Sequence, residues 1–249
     1  MNRILFEKGE IADGVATFGG ERAEHILDVL HGEVGQVLKT GEIDGPIGTG
    51  VITDIMRLPS SVSSPSVTVR CSHADQSIAP WIDLILAPPR PRVMKRLLPQ
   101  LAAMGVGRIF LVGAKKVEKD FWGATLLKEE NYRPLLIDGL MQAGTSVLPT
   151  LETRRNFRRF VADELDALWP EATRIVAHPY GGERTIERSE RSDSRTILLA
   201  IGPEGGWTDD EVEALEAHGF GRLSLGPRIL RTDTATVALL ARLMPVAGE

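Results

Sequence analysis

One cysteine, Cys71, stands among 249 residues, so the chain can build neither a disulfide framework nor a cluster of thiolate metal ligands. The five histidines lack close ligand spacing, which leaves a bound metal without support in the sequence. No apolar run approaches the roughly 18 residues that a membrane helix requires. The start, Met1-Asn-Arg-Ile-Leu-Phe-Glu-Lys, carries charge where a secretory signal needs an apolar core, so a cytoplasmic protein with no membrane partner is expected. Nor is there an excess of positive charge. The net charge of −5 argues against a surface coated with cations to hold nucleic acid. Internal repeats and low-complexity tracts are also missing.

What is present is the composition of an ordinary folded chain, 43% hydrophobic and 25% charged, long enough for one large or two modest domains. Charge is clustered locally. Arg90, Arg92, Lys95 and Arg96 crowd one junction, Lys115, Lys116 and Lys119 a second, and Arg154, Arg155, Arg158 and Arg159 a third. Asp209, Asp210, Glu211, Glu213 and Glu216 gather the acidic charge elsewhere. Each basic cluster alone reads equally well as solvated surface; three of them beside predicted loops favour a polyanionic partner.

The chain changes character after about Ser77. Before it, apolar pairs punctuated by glycines from Glu33 to Arg57, followed by Val67-Thr-Val-Arg-Cys, predict the hairpins of a small β structure. One helix is expected there, Glu21 to Leu30, with Ala23, Ile26, Leu27 and Leu30 on one face. A Ser/Pro-rich stretch runs from Pro59 to Ser66. Beyond Ser77, short apolar runs at Trp81–Pro88, Arg108–Val112, Arg174–Pro179, Thr196–Ile201 and Arg222–Leu225 alternate with connections and helix-period segments. Helices are predicted near 92–104, 125–142, 157–168, 208–218 and 233–243. The expectation is an α/β fold with a mostly parallel sheet and domains over 1–77 and 78–249.

Two segments carry the chemistry: Ile201-Gly-Pro-Glu-Gly-Gly-Trp-Thr-Asp-Asp-Glu and Leu225-Gly-Pro-Arg-Ile-Leu-Arg-Thr-Asp-Thr-Ala. Each reads as a strand running into a glycine-proline turn and then a helix, which exposes backbone amides at the carboxyl end of a parallel sheet. The first lacks the Lys-Ser/Thr pair of a phosphate loop and the glycine spacing of a dinucleotide site, and a plain tight turn would also use its glycines. Thr208 with Glu211, and Trp207 with Val212, predict a capped and stapled helix start. In the second segment Arg228 and Arg231 precede a helix that Thr232 is expected to cap. Cations there oppose the helix dipole, so they point to an anionic partner, unless Asp233 simply pairs with one of them.

These two segments resemble the signature loops of the RsmE family, the 16S rRNA uracil-N3 methyltransferases of the SPOUT superfamily. The resemblance extends to Ala23-Glu-His-Ile-Leu-Asp-Val-Leu-His, Leu86-Ala-Pro-Pro-Arg-Pro and Leu101-Ala-Ala-Met-Gly-Val, and so covers nearly the whole chain. It implies an N-terminal PUA-like β-barrel that binds RNA, a SPOUT-type α/β domain with a C-terminal deep trefoil knot, and a homodimer. By resemblance, S-adenosylmethionine is held by Ala177, His178 and Pro179, by Ile201, Gly202, Pro203, Glu204, Gly205 and Gly206, and by Leu225, Gly226, Arg228, Ile229, Leu230 and Thr232. A packed loop histidine is the other reading of His178.

The uridine imide must lose its proton before it attacks, which calls for a base and for stabilisation of the uracil oxygens. Arg231 is expected in the second role, and Asp233 or Glu204 in the first. Arg22, His25 and His31, on or beside the N-terminal helix, and Arg90, Arg92 and Arg96 are candidates to grip 16S rRNA or the small ribosomal subunit; solvation accounts for each alone. The chain departs from the family at Gln100, Ala103, Met141 and Thr145, and Asp233 stands where a glutamate is usual. Methylation of another RNA nucleotide, or a catalytically silent RNA-binding assembly factor, therefore remain as alternative readings.

Overall fold

The computed structural model describes residues 3–57, 65–180 and 196–245. Most of the Ser/Pro-rich stretch lies outside them. The chain forms two compact units, Met1–Ala79 with Leu140–Leu148, and Pro80–Gly139 with Pro149–Glu249. The short segment Leu140–Leu148 is grouped with the first unit.

The first unit is a five-stranded sheet of β1 (Ile4–Phe6), β2 (Val15–Gly19), β3 (Val37–Glu42), β4 (Ile47–Met56) and β5 (Ser66–Asp75) in the order β1-β3-β4-β5-β2. Among the described residues of this sheet, only β1 and β3 pair in parallel. Alternation along these strands sends Ile4, Phe6, Phe18, Ile52, Val67 and Val69 into one core. The expected helix is shorter than its sequence pattern: α1 (Gly20–Glu24) passes into a π-helical turn, His25–Val29. Ala23, Ile26 and Leu27 are buried, as the helical period requires.

Arg3 fastens the returning segment to this sheet. Its guanidinium is buried and donates to the carbonyls of Thr40 at 2.6 Å, Gly48 at 3.0 Å and Gly144 at 3.0 Å. Burial pushes its pKa down from the usual arginine value, and Asp75 opposes that. The Arg3 backbone N–H donates to Met141 at 2.9 Å, and Ser146 donates to Gly45 at 2.7 Å.

The second unit holds β6 (Ile82–Leu86), β7 (Val106–Val112), β8 (Thr150–Arg154), β9 (Thr173–Ala177), β10 (Ile197–Ile201) and β11 (Gly221–Leu223). All pair in parallel, in the order β11-β9-β10-β6-β7-β8. From β6 the chain builds outward through β7 and β8, then returns to the other side of β6 for the last three strands. That reversal makes a switch point, where strand ends splay and a ligand can enter.

Among the described residues, the helices after β6 are α2 (Pro91–Ala103), α3 (Glu129–Ala143), α4 (Phe157–Asp163), α5 (Leu165–Leu168), α6 (Asp209–Ala217) and α7 (Thr232–Leu243). The helix predicted over 157–168 breaks at Glu164, whose carboxylate accepts from Arg154 at 2.6 Å. The central strands are buried on both faces, so their residues are continuously apolar. Ile85, Phe110, Leu198 and Ala200 face one core with Phe157, Phe160, Trp169 and Val212. Phe110 stacks on Phe160 at 5.5 Å and meets Trp169 edge-on at 4.9 Å; truncating it to alanine costs about 3–5 kcal/mol.

Asp83 is the buried exception in β6. It accepts from Arg108 at 2.7 Å and from the Trp169 indole at 2.6 Å, so its charge is paired and hydrogen-bonded.

Candidate functional site

Both glycine-rich loops, and the end of β9 between them in the sheet, open on one cavity of about 460 Å³. The first loop is fixed from behind by α6. Thr208 is the N-cap residue, and the Glu211 carboxylate accepts its backbone N–H at 2.9 Å. The same buried carboxylate accepts the Lys115 N–H at 2.7 Å, which ties the β7 loop to the α6 start. Trp207 and Val212 are buried in the same core as the staple requires. Gly206 carries φ +69°, and its N–H closes on the Pro203 carbonyl at 2.8 Å.

The second loop differs from its sequence reading. Arg231, not Thr232, is the N-cap residue of α7; Thr232 is the buried first helical residue. Asp233 pairs with neither Arg228 nor Arg231. Its carboxylate accepts from Arg96 of α2 at 3.2 Å and from the Thr234 N–H at 2.9 Å. The physical reason is packing: α2 lies against α7, which brings Arg96 within reach. Gly226 adopts φ +104°, where a side chain is strained, and a Cβ placed there would meet open space. The Ser224 hydroxyl accepts its N–H at 3.2 Å.

Every residue assigned to cofactor binding lines this cavity: Ala177, His178 and Pro179; Ile201, Gly202, Pro203, Glu204, Gly205 and Gly206; Leu225, Gly226, Arg228, Ile229, Leu230 and Thr232. Its walls also include Lys116, Tyr180, Trp207, Asp209, Leu223, Ala235 and Leu239, which the sequence did not single out for it. The lining combines apolar side chains with backbone polar groups. Among the described residues, the backbones of Leu225 and Ile229 make no hydrogen bond within the chain, so their polar groups are open to a ligand. His178 donates its backbone N–H to Leu223 at 3.1 Å, and its ring Nδ1 lies 2.5 Å from the Tyr180 carbonyl oxygen.

The three candidate reacting groups separate. Glu204 lines the cavity, and its carboxylate accepts the Arg90 backbone N–H at 3.0 Å, at the start of α2. Arg231 and Asp233 flank the lining residue Thr232 and do not themselves line the cavity. Arg231 is exposed and has no side-chain partner among the described residues.

The candidate RNA contacts also sort by environment. Arg22 is occupied within the first unit: it donates twice to Glu10, at 2.6 and 2.9 Å, and lies over the Phe6 and Phe18 rings at 5.8 and 5.1 Å. The hydrogen bonds with Arg22 hold the Glu10 carboxyl below its usual range. His25 is half-buried with Nε2 unpartnered, and His31 is exposed at φ +51°. Arg90, Arg92 and Arg96 are exposed at the N-terminal part of α2; Arg90 pairs with Glu118 at 2.9 Å. Among the departures from the family, Met141 and Thr145 fall in the returning segment, where the Thr145 hydroxyl meets Ser77 at 2.8 Å.

Comparison with known proteins places this architecture. Residues 77–244 match the RNA methyltransferase domain family. The ribosomal RNA small subunit methyltransferase E of Treponema pallidum is 30% identical over 97% of this chain and 90% of its own length. The chain belongs to the ribosomal RNA small subunit methyltransferase E family. A methyltransferase of Legionella pneumophila, solved with its bound cofactor SAM, superposes with a TM-score of 0.74 at 26% identity, over 97% of this chain and 96% of that one. The family enzyme of Neisseria gonorrhoeae, solved with S-adenosylmethionine, shares the fold at a TM-score of 0.73 and 22% identity, over 98% and 96% of the two chains. For a member of the methyltransferase E family, the cavity at the ends of β9, β10 and β11 is the part of the fold where its glycine loops converge. No helix among the described residues is long and apolar enough to cross a membrane.

Proposed function

We propose that the protein methylates N3 of a uridine in the 16S rRNA of the small ribosomal subunit, with S-adenosylmethionine as donor. One observation carries this reading: two separate glycine-proline loops, and the end of β9, line a single cavity at three adjacent strand ends. The residues fit such a cofactor. Glycines at 206 and 226 leave open space where a side chain would project, Leu223, Leu225 and Leu239 offer an apolar wall, and the free backbone groups of Leu225 and Ile229 suit the edge of an adenine.

S-adenosylmethionine supplies an electrophilic methyl when bound. Arg231 stabilises charge developing on the uracil oxygens, and its position beside Thr232 at the cavity edge supports that role. Asp233 takes the imide proton and is held in place by Arg96. Glu204 anchors the first loop to α2 through the Arg90 N–H, which one of its carboxylate oxygens accepts. Arg90, Arg92 and Arg96 hold RNA phosphates.

The second unit contains the deep trefoil knot, a reading that rests on membership of the methyltransferase E family. The first unit is a PUA-like RNA-binding domain. Two chains pair as a homodimer: Ile229, 74% exposed, and Tyr180, 64% exposed, leave apolar surface at the cavity rim for a second copy to cover. The protein works in the cytoplasm. Nucleoside mass mapping of rRNA from a deletion strain tests the function; loss of N3-methyluridine at one 16S site is expected, and loss of a different modified nucleotide would move the substrate.

A further inference from the structure

Lys116 lies outside both signature loops, in the segment that leaves β7, yet it reaches the first of them. Its ammonium donates to the Gly205 carbonyl at 2.8 Å and lies 3.4 Å from the Trp207 carbonyl. The stem crosses Gly205 so closely that a Cβ there would sit 3.0 Å from the lysine Cδ, so glycine at 205 and lysine at 116 are matched. The neighbouring backbone is fixed independently, through the Lys115 N–H to Glu211 at 2.7 Å. A carbonyl turned toward an ammonium is turned away from other partners, and the charge strengthens the bond.

We propose that Lys116 is a positioning residue that holds the Gly205–Trp207 peptides in the orientation the cavity needs for its cofactor. This rests on the reading of the cavity as the S-adenosylmethionine site. Because the lysine comes from the loop after a different strand, it links the β7 loop to ligand affinity without being part of a glycine motif.

Three variants test it: Lys116→Met keeps the stem without the charge, Lys116→Arg keeps the charge, and Lys115→Met removes a neighbouring charge while keeping the backbone bond to Glu211. Amide hydrogen exchange of the ligand-free protein is expected to speed up at residues 204–208 in Lys116→Met alone. Calorimetric titration with S-adenosylmethionine and S-adenosylhomocysteine is expected to show about tenfold weaker binding of both to Lys116→Met, the loss of one charge-assisted hydrogen bond. Lys116→Arg is expected to recover most of that affinity, with unfolding temperatures unchanged. Unchanged exchange at 204–208 in Lys116→Met, or an equal affinity loss in Lys115→Met, overturns the clamp. If the exchange responds as expected but the wild-type protein binds neither ligand, the clamp stands and the cofactor reading falls.

Discussion

The Glu204 carboxylate accepts the backbone N–H of Arg90 at 3.0 Å, so the first glycine loop supplies the anion at the start of α2. Arg90 has no side-chain cap of its own, and Pro91 brings no N–H to the first turn. Glu204→Ala is therefore expected to destabilise the protein by about 1 kcal/mol in urea unfolding, in line with a lost cap. Glu204→Gln, which still accepts, should retain most of the stability and turnover. A turnover loss of several hundredfold in Glu204→Gln, with Asp233→Asn mild, would instead make Glu204 the base.

Arg231→Ala is expected to leave the unfolding temperature and S-adenosylmethionine affinity unchanged while abolishing methyl transfer. The side chain is exposed and without a partner among the described residues, so its removal leaves no buried group unsatisfied. Single-turnover assays with 16S rRNA check this, and unchanged turnover sinks the role.

Gly226→Ala should weaken folding by about 1 kcal/mol or more, because φ +104° is strained for alanine even though space is free. Cofactor affinity should fall with it. Thermal melts with and without ligand separate the two effects.

His73 makes the first unit sensitive to pH. Burial lowers its pKa below the ordinary 6.5, with Glu42 opposing and Arg3 assisting, and its Nε2 lies 2.8 Å from the Thr40 hydroxyl. The unfolded chain therefore takes up the proton first as pH falls. The contribution to stability is complete above 6.5 and is lost as pH falls toward the folded value. Denaturant midpoints measured from about pH 8 to pH 5 should decline in that window, and His73→Gln should flatten the decline.

RNA affinity should fall linearly with the logarithm of salt concentration. Arg92 has no partner among the described residues, and its replacement by alanine should lower the slope by about 0.7–0.9. An unchanged slope would remove Arg92 from the RNA surface.

The sequence made the second unit legible because its central strands are buried on both faces and read as unbroken apolar runs. It hid β8, an edge strand whose Thr150, Glu152 and Thr153 are exposed, so no apolar run marks it. The Thr208 cap could be read because its partners are local. The Asp233 pair could not, since Arg96 lies 137 residues away in sequence. The same distinction runs through the cavity: its glycine loops announce themselves by turn chemistry, whereas Lys116 gives no local signal and was visible only as one charge in a cluster.

The returning segment, Leu140–Leu148, sets a condition on how the chain acquires its structure during synthesis. The buried Arg3 needs the Gly144 carbonyl, and its backbone N–H needs that of Met141. These contacts of the first unit therefore cannot form when residue 79 leaves the ribosome; they must wait for about seventy more residues, several seconds at ordinary synthesis rates. During that interval its arginine, already neighbour to a forming apolar core, remains hydrated. The N-terminal unit is the first made and among the later parts to be finished, and a fragment ending at residue 79 is expected to unfold more readily than the same residues in the whole chain.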